Sequence, residues 1–151
     1  MRSIVTLVIA LPLAACGGTG ENIDGEGCRY LESGPFTVVT AGTTMDAAAP
    51  AITAADGAFT VTLPAAGVGY LAFDSPDDTE YAVFTDRTVT VAAFTPAGTV
   101  IPASASSTST SVCATVHGRH IIELPVGPFF FGLGPDAGGP VKLVLRHYDP
   151  D

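Results

Sequence analysis

From Tyr30 onward, apolar and polar residues alternate in short runs closed by Gly, Pro, Asp or Ser. Phe59, Val61 and Leu63 alternate with Thr60 and Thr62, and Val89 and Val91 alternate with Thr88 and Thr90. A period of two sends successive side chains to opposite faces, the pattern of a half-buried strand. Further strands are predicted over residues 36–40, 69–74, 80–85, 112–116, 120–124, 128–133 and 141–147, about nine in all. The separators carry turn chemistry: Asp56 with Gly57, Pro96 with Gly98, and Gly138 and Gly139 before Pro140. No window sustains a helical stripe. Residues 47–55 are alanine-rich, but Pro50 removes a backbone donor and β-branched Ile52 and Thr53 disfavour helix. Residues 103–111 are entirely Ala, Ser and Thr and read as a long exposed loop. Many short strands, with no helices to cover a parallel sheet, predict an all-β fold: a single antiparallel β-sandwich of the jelly-roll or immunoglobulin-like kind.

The N-terminus follows a different pattern. Arg2 supplies a positive start, residues 4–13 are almost wholly apolar, and Ala14, Ala15 and Cys16 follow directly. An apolar run of about ten to twelve residues covers only ~15–18 Å as a helix, about half of a ~30 Å hydrocarbon core, so it serves as a targeting segment and not as a span. The segment resembles the lipobox signal peptide of bacterial lipoproteins, in which small residues precede a cysteine that receives the lipid. That resemblance implies cleavage after Ala15, acylation of Cys16 and attachment to a membrane through the lipid. Gly17, in place of an aspartate after the cysteine, implies sorting to the outer membrane. Ordinary secretion, with Cys16 left as a plain thiol, is the alternative. The chain then divides into a signal peptide (residues 1–15), a lipidated cysteine and flexible tether (16–27) and a β-sandwich domain (28–151). Ile23 is the one apolar side chain among residues 17–27, too little to fold on.

Removing residues 1–15 from the 151 leaves 136, the size of one domain. Five basic residues then face fifteen acidic ones, a net charge of −10. Such a surface repels phosphate backbones and anionic headgroups, and no basic stripe offsets it, so nucleic acid is excluded as a partner. With Cys16 lipidated, Cys28 and Cys113 remain as the available pair, and an oxidising envelope permits their disulfide. Two buried free thiols are the alternative.

Tyr70 to Phe73 form an opening strand, Val89 to Phe94 run into a turn at Pro96, Ala97 and Gly98, and a strand ends at Leu124, Pro125, Val126 and Gly127. Phe129, Phe130 and Phe131 begin the next strand, and Val141 to Leu145 close the sheet. On these positions, residues 67–148 resemble the bacterial pre-peptidase C-terminal domain, a small β-sandwich often appended to secreted hydrolases. The resemblance implies a fold, and an accessory role toward an envelope hydrolase or polysaccharide, without assigning a catalytic residue.

Candidate chemistry is sparse. Asp74, Asp77, Asp78 and Glu80 fall on or beside one predicted loop, where converging carboxylates would suit Ca²⁺; a solvated acidic loop is the plainer reading. His117 and His120 would suit zinc or copper, but on one strand they point to opposite faces unless Gly118 makes a bulge or turn. His147 lies far from both in sequence. Neither a Gly-x-Ser-x-Gly elbow nor a phosphate-binding glycine loop is present. Alternation directs Phe129 and Phe131 into the core and Phe130 outward; an exposed Phe130 would form a small binding patch, and packing of the cluster in the core is the plainer reading. The expectation is a non-enzymatic, lipid-anchored envelope protein with binding or structural duties. Its alternatives are an accessory module for polysaccharide or an envelope hydrolase, and a small metal-binding protein using His117 and His120.

Overall fold

A computed structural model describes residues 22–52, 57–135 and 139–148. These form one helix, α1 (Ile23–Ser33), and the strands β1 (Thr37–Thr40), β2 (Ala51–Ile52), β3 (Gly57–Thr62), β4 (Gly69–Ser75), β5 (Thr79–Thr85) and β6 (Val91–Phe94). There follow β7 (Val100–Ile101), β8 (Ala105–Ser107), β9 (Gly118–Leu124), β10 (Gly127–Leu133) and β11 (Val141–Tyr148). Two sheets result, a six-stranded one in the order β1-β3-β11-β5-β9-β8 and a five-stranded one in the order β2-β4-β10-β6-β7. The expected β-rich fold is present, with two corrections. Both sheets are mixed, because β1 runs parallel to β3 and β2 parallel to β4. The strands number eleven, because β2, β7 and β8 are only two or three residues long, too short to show a period.

Alternation packs the main core between the sheets. Phe59, Val61, Tyr81, Val83, Leu143 and Leu145 of the larger sheet meet Leu71, Phe73, Phe129, Phe131 and Leu133 of the smaller one. Phe73 stacks edge-on against Tyr81 and tilted against Phe131, with ring centroids 5.2 and 5.5 Å away. A second core lies on the outer face of the six-stranded sheet, where Cys28 and Leu31 of α1 cover Ala58, Ala82, Phe84, Ile121 and Val144.

The helix corrects part of the expected tether, because residues 23–27 belong to α1. Asn22 caps the helix, its side-chain oxygen accepting from the Asp24 and Gly25 amides at 3.1 and 3.4 Å. Asp24 and Glu26 set negative charge against the positive end of the helix dipole. Gly34, at φ 64°, ends it, donating its amide to the Tyr30 carbonyl at 2.9 Å. The Cys28–Cys113 disulfide ties α1 to the segment before β9, across 85 residues of sequence. In the chain-entropy treatment a loop of that length stabilises the fold by about 4–5 kcal/mol. Residues 112–116 are not the expected strand but a turn-rich segment, in which Cys113 has left the sheet to meet Cys28. Part of the expected 103–111 loop pairs with β9 as β8. Cys16 and the signal peptide lie outside the described residues.

Candidate functional site

The two outer faces of the sandwich differ. On the six-stranded sheet, Arg119, Lys142 and Arg146 rise toward α1. Arg119 Nε donates to Asp24 Oδ1 at 2.6 Å, Arg146 Nε to Glu26 Oε2 at 2.9 Å, and Lys142 Nζ to the Leu31 carbonyl at 3.2 Å. The Arg146 guanidinium and the Lys142 ammonium each lie 4.8 Å from an aromatic centroid, of Tyr30 and Phe36 respectively. Arg29, on the helix itself, lies 4.9 Å over Tyr30. Four of the protein's basic side chains thus gather around one helix, and acid dominates elsewhere.

The outer face of the five-stranded sheet carries Tyr70 and Ala72 on β4, Phe130 on β10 and Phe94 on β6, all half-buried. Phe130 stands opposite Ala72 on one side and Phe94 on the other. Gly132 lets the outer rings meet: a Cβ there would stand 2.7 Å from Phe94 Cε2 and 3.2 Å from Tyr70 Cε1. Tyr70 and Phe94 accordingly close edge-to-face over the glycine, centroids 5.9 Å apart. The 43–50 connection borders this face, with Met45 approaching Gly98 in the β6–β7 turn. Beside it opens a groove of about 240 Å³ between Ala51, Ala72, Asp74, Pro128 and Phe130. As the alternation predicts, Phe129 and Phe131 are buried at 7% and 1% exposure, while Phe130 faces out.

The acidic loop does not gather its carboxylates. Asp74 shares the outward parity of Ala72 on the five-stranded sheet, and Glu80 that of Ala82 on the other sheet, so the two point to opposite sides of the sandwich. Asp77 and Asp78 are exposed in the connecting turn. That turn is closed from within: the Tyr81 hydroxyl meets Ser75 Oγ at 2.9 Å, and Ser75 Oγ donates to the Asp77 carbonyl at 2.8 Å. Glu80 accepts from Ser104 Oγ at 3.0 Å. Among the described residues no group of three or more His, Cys, Asp or Glu side chains is placed to hold a metal ion, so the four carboxylates do not converge as a Ca²⁺ site would need.

The histidines sit differently from their expected alternation. β9 begins at Gly118, so His117 precedes the strand and is not bound by its parity. Both His117 and His120 line a cleft of about 390 Å³ with Thr88, Val89, Ser106, Ser107 and Thr108. His120 pairs with Ser106 across β8–β9, and its Nδ1 meets Ser106 Oγ at 3.0 Å. Burial pushes the His120 imidazole below its ordinary pKa. Among the described residues no carboxylate lines this cleft. His147 is elsewhere, exposed on β11 and edge-on to Tyr81 at 5.1 Å.

Tyr70, Phe94, Gly132 and Ser106 escaped sequence reasoning, because only the strand order makes them neighbours. Comparison with family models finds no match for this chain, and comparison with curated proteins finds none either.

Proposed function

We propose that this chain is a lipid-anchored, non-catalytic cell-envelope protein, held at the outer membrane by an acylated Cys16, that binds neutral polysaccharide through the aromatic groove at Phe130. The observation that carries the reading is the asymmetry of the outer faces: α1 roofs one sheet, while the other presents Phe130 in an open groove. An aromatic ring offers a flat apolar surface to the C–H face of a sugar ring. Asp74, in the same groove, accepts sugar hydroxyls in charge-assisted hydrogen bonds. Among the described residues it is the one ionisable side chain lining the groove, which supports binding over glycoside hydrolysis by a carboxylate pair.

Charge selects the class of chain. A chain beginning at Cys16 carries a net charge of −10, and four of its basic side chains are engaged around α1, so phosphate- and uronate-rich polymers are repelled. A neutral glycan has no such barrier.

Affinity electrophoresis tests the reading. Retardation of the detergent-solubilised protein is expected in gels containing galactomannan or soluble β-glucan, and none in alginate. Phe130→Ala removes the retardation and Asp74→Asn weakens it. Free migration in both neutral gels, or unchanged retardation of Phe130→Ala, contradicts the proposal.

A further inference from the structure

The geometry points to a second, independent site: we propose that His117 and His120 together bind a first-row divalent transition-metal ion in the cleft between β8, β9 and residues 88–89. The aromatic groove plays no part in it, being formed by β2, β4 and β10 on the other sheet.

His120 shares the parity of Ile122 and Leu124, so its ring is directed to the rim of the sandwich interior, next to Val89. Its Nε2 lies 3.5 Å from where a Cβ on Gly118 would stand. The imidazole therefore lies against Gly118, and His117, the residue before it, lines the same cleft. A side chain at position 118 would fill that space and collide with Thr85 Oγ1; glycine keeps it open. His117 is held from the other side, its backbone amide donating to the Thr85 carbonyl at 2.8 Å.

The Ser106 contact sets the chemistry. Ser106 Oγ, 3.0 Å from His120 Nδ1, can accept its proton, and that tautomer leaves the Nε2 lone pair to ligate, as a partner on the other ring nitrogen commonly does for metal-binding imidazoles. Imidazole nitrogen suits copper and zinc, and with no carboxylate in the cleft among the described residues the hard cations Ca²⁺ and Mg²⁺ are disfavoured. Two imidazoles leave the other coordination positions to water, so the ion would be held open to exchange.

Zn²⁺ titration of the mature protein in detergent micelles, followed by histidine ring NMR signals, tests this, with exposed His147 as the internal control. The His117 and His120 signals are expected to move together with one midpoint, well before any His147 response. His117→Ala shifts the His120 midpoint to that of His147. Ser106→Ala weakens binding roughly tenfold, as loss of an orienting partner does, while leaving His147 unchanged. Preserved dispersion of the remaining signals reports that each variant is folded. A His120 signal that stays still, or a common midpoint for all three histidines in the wild type, overturns the site and leaves only adventitious surface binding.

Discussion

Arg146 on β11 holds Glu26 on α1 across the outer face of the six-stranded sheet, Nε to Oε2 at 2.9 Å, with both side chains only 13% exposed. Two charges this far removed from water stabilise only while paired. Arg146→Ala leaves the Glu26 carboxylate part-buried, and urea unfolding is expected to show a loss of about 1–3 kcal/mol. Arg29, 64% exposed and 3.8 Å from the same carboxylate, is the control; Arg29→Ala is expected to change stability by less than about 0.5 kcal/mol. Equal effects would mean that α1 is not held by its charges.

Two glycines of α1 predict effects of opposite sign. A Cβ at Gly27 would stand 2.7 Å from the Phe84 ring, in the core beneath the helix, whereas one at Gly25 would make only ordinary contact with Asn22 at 3.8 Å. Thermal melts are expected to show Gly27→Ala destabilised by about 1–3 kcal/mol through overpacking. Gly25→Ala gains up to about 1 kcal/mol from helix propensity.

Adjacent phenylalanines separate packing from binding. Phe131 is 1% exposed in the main core, so Phe131→Ala is expected to cost about 3–5 kcal/mol. Phe130→Ala, on the outer face, is expected to cost clearly less while removing polysaccharide retention. Comparable losses of stability in denaturant titrations would place Phe130 in the core.

His120 gives the pH dependence a direction. Its folded pKa lies below the ordinary 6.5 because burial penalises the charged ring. As pH falls below 6.5 the unfolded chain takes up that proton first, so stability declines until the folded pKa is passed and then levels off. His120→Asn keeps a polar partner for Ser106 and is expected to show a shallower decline in melting temperature between about pH 7 and pH 5 than the wild type.

The strands were legible where period-two runs were long. β4, β5, β9, β10 and β11 lie within two residues of their expected bounds, and the outward turn of Phe130 followed from alternation alone. The helix was missed because Gly25 and Gly27 made it look like a tether, and its stability comes from tertiary contacts: Leu31 on Phe84, the disulfide and the arginines of β9 and β11. Asn22, two acids in the first turn and a terminal Gly34 were nevertheless readable as cap signals. The partners of Phe130 and His120 were not readable. Tyr70, Phe94 and Ser106 become neighbours only through strand order and register, which no local pattern encodes.

The premise of the functional proposal is the lipid on Cys16, and the intact mass of the protein extracted from the envelope of its native host tests it most directly. The mature chain is expected to begin at Cys16, to carry a diacylglyceryl group and to lose its ester-linked acyl mass on alkaline hydrolysis. A mature chain with no added lipid mass and a free Cys16 thiol, recovered from the aqueous fraction, would contradict it.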